Sequence, residues 1–229
     1  MLNELISELN TRGANFVKVV DISMLKTTEN RGYSVAILIG IVLGPRYIYH
    51  LSKENENKVD YSEYSEKEND VDRLAEWTAD FISAKSCKAF AQSESNLDLH
   101  GFYDETTKTT PLPHKTIAIL AGLGWIGKSN LLVTQEYGSA LCMCSVLTNA
   151  PLLTEDRPII MPKCGKCTVC KDICPAGVIH GATWEIGMNR DSIVDVYHCD
   201  CCLKCLDNCP WTLKYMRNYM KRTIGERKI

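Results

Sequence analysis

Apolar positions in the first half of the chain change period several times, and each change marks an element. Leu2, Leu5, Ile6 and Leu9 recur at helical spacing, with Gly13 placed to end the helix. Asn15 to Ile22 reads as a strand. Tyr33 to Leu43 reads as a second strand, apolar almost throughout, interrupted by Gly40 and stopped by Gly44-Pro45. So continuous a run predicts burial on both faces of a sheet. From Ser52 to Asp72 the chain is dense in Lys, Glu, Asn and Asp, with Tyr61 and Tyr64 among them, which predicts a solvated loop with a helical turn. Asn69 or Asp70 then caps a helix whose inner stripe is Val71, Leu74, Ala75, Phe81 and Ile82, with Trp77 nearby. This helix is expected to lie on the sheet.

Pro111 and Pro113 make an irregular approach to Thr116–Ala121, a short apolar run that reads as a strand. After the glycine-rich stretch 122–129, Ala140 to Leu147 is a further candidate strand with Cys142 and Cys144 on one face, where they read as small core hydrophobes. Helices and strands interleave to about Leu153, and beyond Pro158 the cysteine density rises. The pattern predicts an α/β (α+β) domain over 1–158 and a small cysteine-rich domain, closed by a helix, over 159–229. The longest apolar run, Val35 to Leu43, is too short to span a bilayer.

The cysteines carry the chemistry. Cys164, Cys167, Cys170 and Cys174-Pro175 spell C-x2-C-x2-C-x3-C-P, and Cys199, Cys202, Cys205 and Cys209-Pro210 spell it again. Bacterial-type ferredoxins hold 4Fe-4S clusters by this spacing, because three thiolates must reach one cubane from a tightly wrapped backbone. In two-cluster ferredoxins the fourth cysteine ligates the other cluster. By that resemblance one cluster takes Cys164, Cys167, Cys170 and Cys209, and the other takes Cys199, Cys202, Cys205 and Cys174. Cys201, beside Cys202, competes with Cys199, which the spacing favours. Tetrahedral zinc is the rival metal, but it calls for separated C-x2-C pairs rather than proline-terminated quartets. A disulfide framework belongs to short secreted chains, and no signal-peptide pattern opens this one.

Charge and redox narrow the class. With 26 basic against 28 acidic residues the chain shows no electrostatic footprint for nucleic acid or anionic membrane. Four of the 12 cysteines, Cys87, Cys142, Cys144 and Cys201, fall outside the two quartets. Thiols and exposed clusters need reducing surroundings, which predicts a cytoplasmic protein, from an anaerobe.

Gly122, Gly124 and Gly127 fit G-x-G-x-x-G, while Gly122, Gly127, Lys128 and Ser129 fit G-x4-G-K-S. A dinucleotide site needs an acid on a following strand and a P-loop needs an acid at a strand end for magnesium, yet Thr148 and Asn149 follow the Ala140–Leu147 strand. Taken together, AGLGWIGK at Ala121–Lys128, a strand, the double cysteine motif and Cys209-Pro210-Trp211 resemble the epoxyqueuosine reductases, cobalamin-dependent iron-sulfur enzymes related to the reductive dehalogenases. The likeness is specific from about Pro111 to Trp211. It implies a nitroreductase-like corrinoid-binding domain followed by a ferredoxin-like two-cluster module, with Gly122, Gly124, Trp125, Gly127 and Lys128 near the corrinoid.

The resemblance also implies an oxidoreductase fed by an electron donor such as a ferredoxin or flavodoxin and acting on a small molecule or a corrinoid protein. The rival is a non-catalytic electron carrier or corrinoid-reducing activase. Members acting on the queuosine precursor carry a proton-donating aspartate before the glycine motif. Here Lys108, Thr109 and Thr110 stand in that stretch, with Asp104 and Glu105 further upstream. Tyr61, Tyr64 and Tyr103 become candidate donors by elimination, His114 reads as a turn or packing residue, and Trp125 and Trp211 as cofactor walls or packing. Only Pro210–Ile229 follows Cys209, so a short form without helical repeats, acting on something other than epoxyqueuosine, is expected.

Overall fold

The computed structural model describes residues 1–53 and 60–226. In chain order the elements are α1 (Leu2–Thr11), β1 (Phe16–Asp21), α2 (Thr27–Asn30), β2 (Val35–Val42), α3 (Pro45–Leu51), α4 (Ser62–Ser83), β3 (Ala89–Ala91) and α5 (Glu94–Leu99). They continue with α6 (His114–Leu120), β4 (Trp125–Ile126), β5 (Leu132–Val133), β6 (Leu141–Thr148), α7 (Val169–Asp172), α8 (Lys204–Asp207) and α9 (Pro210–Glu226). The chain divides into two units, both discontinuous. The first comprises Met1–Val42, Tyr64–Gly122 and Cys142–Ile159; the second comprises Leu43–Glu63, Leu123–Leu141 and Ile160–Ile229. The last crossing between them falls after Ile159, and the second unit also takes in α3 and residues 123–141, the glycine stretch beyond Gly122.

The first unit is built on a four-stranded sheet in the order β1-β2-β6-β3. The continuous apolar run forms β2, which is buried from Val35 to Ile41 because it lies inside the sheet. Its partner β1 runs antiparallel and sets Phe16 opposite Gly40. The Phe16 ring covers that glycine so closely that a Cβ would lie 1.9 Å from its Cζ, which explains the break in the apolar run. β3 pairs antiparallel with β6, which carries Cys142 and Cys144 buried on one face as expected.

Two elements differ from the pattern reading. The helix expected at Asn69 or Asp70 begins at Ser62, where the Asp60 carboxylate accepts the Ser62 amide at 2.9 Å. The charged run is the solvent side of its first turns, and the apolar stripe starts only at Val71. Residues 54–59 of the expected loop lie outside the described residues. Val71, Leu74, Ala75, Thr78 and Ile82 form the buried stripe, with Thr78 bonding back to the Leu74 carbonyl at 2.7 Å. Phe81 lies off that stripe and packs on Trp77 at 5.2 Å between ring centres. The run before the glycines is the helix α6 rather than a strand. Pro113 precedes it with φ of −64° and its carbonyl accepts the amides of Thr116 and Ile117. Ile117, Ala118 and Ile119 are buried by it.

Candidate metal centre

The two cysteine motifs fold alike. In each, a short helix begins after the second cysteine and carries the third: Cys170 lies in α7 and Cys205 in α8. The tight return between ligands requires left-handed backbone, supplied by Gly165 (φ 52°) in the first wrap and by Cys201 and Leu203 (φ 51° and 59°) in the second. Val178, Ile179 and Val194 form a small core, held by an antiparallel bridge between Ile179 and Val194, and Cys170, Cys174 and Cys205 pack against it. None of the twelve cysteines is in a disulfide.

The thiols fall into two groups that cross the motifs. Burial, and after it Cys164, Cys167 and Cys209, push the Cys170 thiol up to about 11. Cys209 is likewise raised, by burial first and with Cys164 adding to it. In the other group burial, then Cys202, Cys199, Cys170 and Cys174, push Cys205 up to about 12. Burial raises Cys202 too, with Cys174 and Cys199 contributing. Cys209 thus lies near Cys164 and Cys170 of the first motif and Cys174 near Cys202 and Cys205 of the second, while Cys170 and Cys205 also approach each other. Cys164, Cys167, Cys170, Cys205 and Cys209 line one cavity of about 380 Å³. Crowded thiols resist ionising without metal; loading must displace their protons. Two sets of four soft sulfur donors suit iron-sulfur clusters. Among the described residues no three His, Cys, Asp or Glu side chains converge as ligands of a single ion. A cubane distributes its thiolates over four irons, so that spacing does not bear on it.

The glycine stretch is a two-stranded hairpin of β4 and β5, pairing Trp125 with Val133 and Ile126 with Leu132. The close approaches its glycines permit are to the chain itself. A Cβ on Gly124 would lie 2.2 Å from the Val133 carbonyl oxygen, and one on Gly127 2.8 Å from a Val133 methyl. In the first unit, a Cβ on Gly122 would lie 2.8 Å from Arg157 Cβ. No helix follows Gly127, as a P-loop requires. Lys128 instead donates from Nζ to the carbonyls of Gly165 (2.8 Å) and Cys167 (3.2 Å), inside the first cysteine wrap. Trp125 is fully buried and meets Trp211 edge to face at 5.0 Å. Lys163 stands over Trp125 and Lys214 over Trp211, and both lysines line the thiol cavity with Gly127 and Lys128.

The remaining candidates lie elsewhere. Tyr61 is close to Cys202 and Asp207, and burial raises its pKa. In the first unit, Tyr103, His114, Glu105 and Thr110 line a cavity of about 680 Å³ with Glu68 and Asp72. Desolvation raises both α4 carboxyls, Asp72 from a half-buried position and Glu68 from one that is exposed by surface, which weakens its shift; Tyr64 hydrogen-bonds Glu68, partly opposing it. The sequence reading missed these two acids because they sat in a stretch assigned to a solvated loop. His114 is half-buried by surface, yet burial holds its pKa down at about 4. Ser145 Oγ accepts from Gln92 Nε2 at 2.7 Å and lies 2.8 Å from His114 Nδ1. The Cys142 thiol is pushed up to about 12 and Cys144 also rises, both by burial foremost, which keeps them inert core residues.

No protein-family profile matches the chain. Curated proteins do. The epoxyqueuosine reductase of Lactococcus garvieae is 33% identical over 107 residues, 46% of this chain and 30% of that protein. The Synechocystis enzyme is 32% identical over 123 residues, 47% of this chain and 42% of its own length. The chain resembles the epoxyqueuosine reductases. A crystal structure of a selenomethionine-labelled epoxyqueuosine reductase matches with a TM-score of 0.59 at 16% identity, covering 93% of this chain and 65% of that one. A catabolic reductive dehalogenase matches with a TM-score of 0.66 at 18% identity, over 90% of this chain and 31% of that one. The mixed α/β fold is shared with both. The matched stretches span under half the length of the two curated epoxyqueuosine reductases. Among the described residues no helix is long and apolar enough to cross a membrane.

Proposed function

We propose that this protein is an iron-sulfur oxidoreductase with two 4Fe-4S clusters, one on Cys164, Cys167, Cys170 and Cys209, the other on Cys174, Cys199, Cys202 and Cys205. The crossing of Cys209 and Cys174 between the two thiol groups carries this reading, because a pair of separate zinc knuckles has no need of it. When bound, the clusters supply one-electron steps. The chain's part is to hold them: α7 and α8 present the third ligands, the Val178–Ile179–Val194 core backs Cys170, Cys174 and Cys205, and Lys128 clamps the first wrap.

A corrinoid as the electron acceptor is part of the proposal through likeness to proteins described as epoxyqueuosine reductases and to a reductive dehalogenase whose structure "suggests a mechanism for B12-dependent dehalogenation". The glycine hairpin does not fit as its bed, since the space beside Gly124 and Gly127 is filled by Val133 and Trp125 is buried. Reduction of an organic substrate takes up protons as well as electrons. Glu68 and Asp72, held protonated to higher pH by burial in the first-unit cavity, replace the aspartate absent before the glycine motif as the proton source.

Anaerobic purification with iron and sulfide counting tests the centre, and a hydroxocobalamin titration followed by absorbance tests the acceptor. About eight irons per chain is expected. Stoichiometric zinc without sulfide would overturn the cluster reading, and a flat titration would remove the corrinoid.

A further inference from the structure

The near balance of charge over the whole chain conceals a basic row in the second unit. On α9, Lys214, Arg217 and Lys221 are exposed and stand at i, i+3 and i+7, on one side of the helix. No acid occurs in the chain between Pro210 and Lys221. The row ends at a redox site rather than on blank surface, because Lys214 lines the cavity of the Cys164 thiol group, as does exposed Lys163. Exposed Asp200 stands between Cys199 and Cys202 of the other motif.

A basic row is by default a solvated helix face, but this one leads to the cavity of one thiol quartet, where a carrier's redox group has to come. We propose that Lys214, Arg217 and Lys221 form the docking surface for an acidic one-electron carrier protein, which delivers electrons to the cluster on Cys164, Cys167, Cys170 and Cys209. The proposal rests on the iron-sulfur reading above and adds the place and charge of the donor contact. One electron leaves the reduced carrier and one enters the cluster; no bond forms or breaks. Exposed charges of this kind act by steering, raising the association rate in a salt-dependent way. An RNA backbone is drawn to a basic row as well, but gains nothing from its ending at a redox centre, whereas a carrier must bring its redox group there.

The test uses the reconstituted full chain and its Arg217→Glu/Lys221→Glu variant, neither position lining the thiol cavity. Reduction of the clusters by a reduced flavodoxin is followed by stopped flow at low and high salt, and binding of oxidised flavodoxin by calorimetry. Photoreduced deazariboflavin, an uncharged reductant, is the control. The wild-type rate with flavodoxin should fall roughly tenfold or more with added salt, as screening of steered association predicts. The variant should be about fivefold to tenfold slower at low salt, nearly salt-independent and weaker in flavodoxin binding, with unchanged deazariboflavin reduction. Equal flavodoxin rates and affinities in the two proteins overturn the docking surface alone. So does a variant that loses a tRNA stem-loop instead of flavodoxin. A wild type that holds no iron overturns the cluster reading together with it.

Discussion

Lys128 sits where a nucleotide-binding lysine would sit, yet its ammonium is committed to two carbonyls of the first cysteine wrap. A charge-assisted hydrogen bond contributes roughly 1.5–3 kcal/mol when well shielded and less when part-exposed, as here. Lys128→Met should therefore leave the protein folded but release iron from the Cys164 group several-fold faster under chelator, read by absorbance. An unchanged release rate would deny it the clamp role. His114 gives a pH signature. Its folded pKa of about 4 lies below the ordinary 6.5, so its contribution to stability is complete above about 6.5 and is lost as pH falls through about 4. His114→Gln should flatten that part of the urea-midpoint profile. The two cysteine quartets were legible in the sequence because their spacing is local. The partners of Lys128 were not, because they lie in a wrap brought to it only by folding.

At the scale of elements, residue type and periodicity announced β1, β2, β6 and α1, whose burial depends on nearest neighbours in a simple sheet or stripe. They misplaced the start of α4 and the nature of α6. A helix whose first turns carry mostly charged residues looks like a charged loop, and seven residues bounded by Pro113 are too few for periodicity to separate helix from strand. Two substitutions check the resulting picture. Ile82→Ala on the buried stripe of α4 should cost about 2–5 kcal/mol, measured by denaturant unfolding, whereas Phe81→Ala, off the stripe, should cost clearly less. Gly124→Ala should open the β4–β5 hairpin, since its methyl meets the Val133 carbonyl, and the protein should then retain less iron. Full iron retention with intact stability would show that the close approach is not required.

Across the whole molecule, the later unit gathers three separated chain segments, the last beginning at Ile160, so no linear composition shift could draw its outline. From Leu123 the glycine stretch belongs with the cysteines in that unit, and its lysine reaches the first cysteine wrap. Glu68 and Asp72, proposed above as the proton source, line the first-unit cavity from α4. The crossed ligation of Cys209 and Cys174 is the central claim, and paired cysteine substitutions test it most directly. In Cys164→Ala/Cys209→Ala both lost thiols serve one cluster, so iron and sulfide should fall to about half of wild type, with one cluster signal retained in electron paramagnetic resonance. In Cys164→Ala/Cys174→Ala, two thiols of a single motif, nearly all the iron should be lost. The reverse ranking, with the second variant keeping half its iron and the first keeping almost none, would contradict the account.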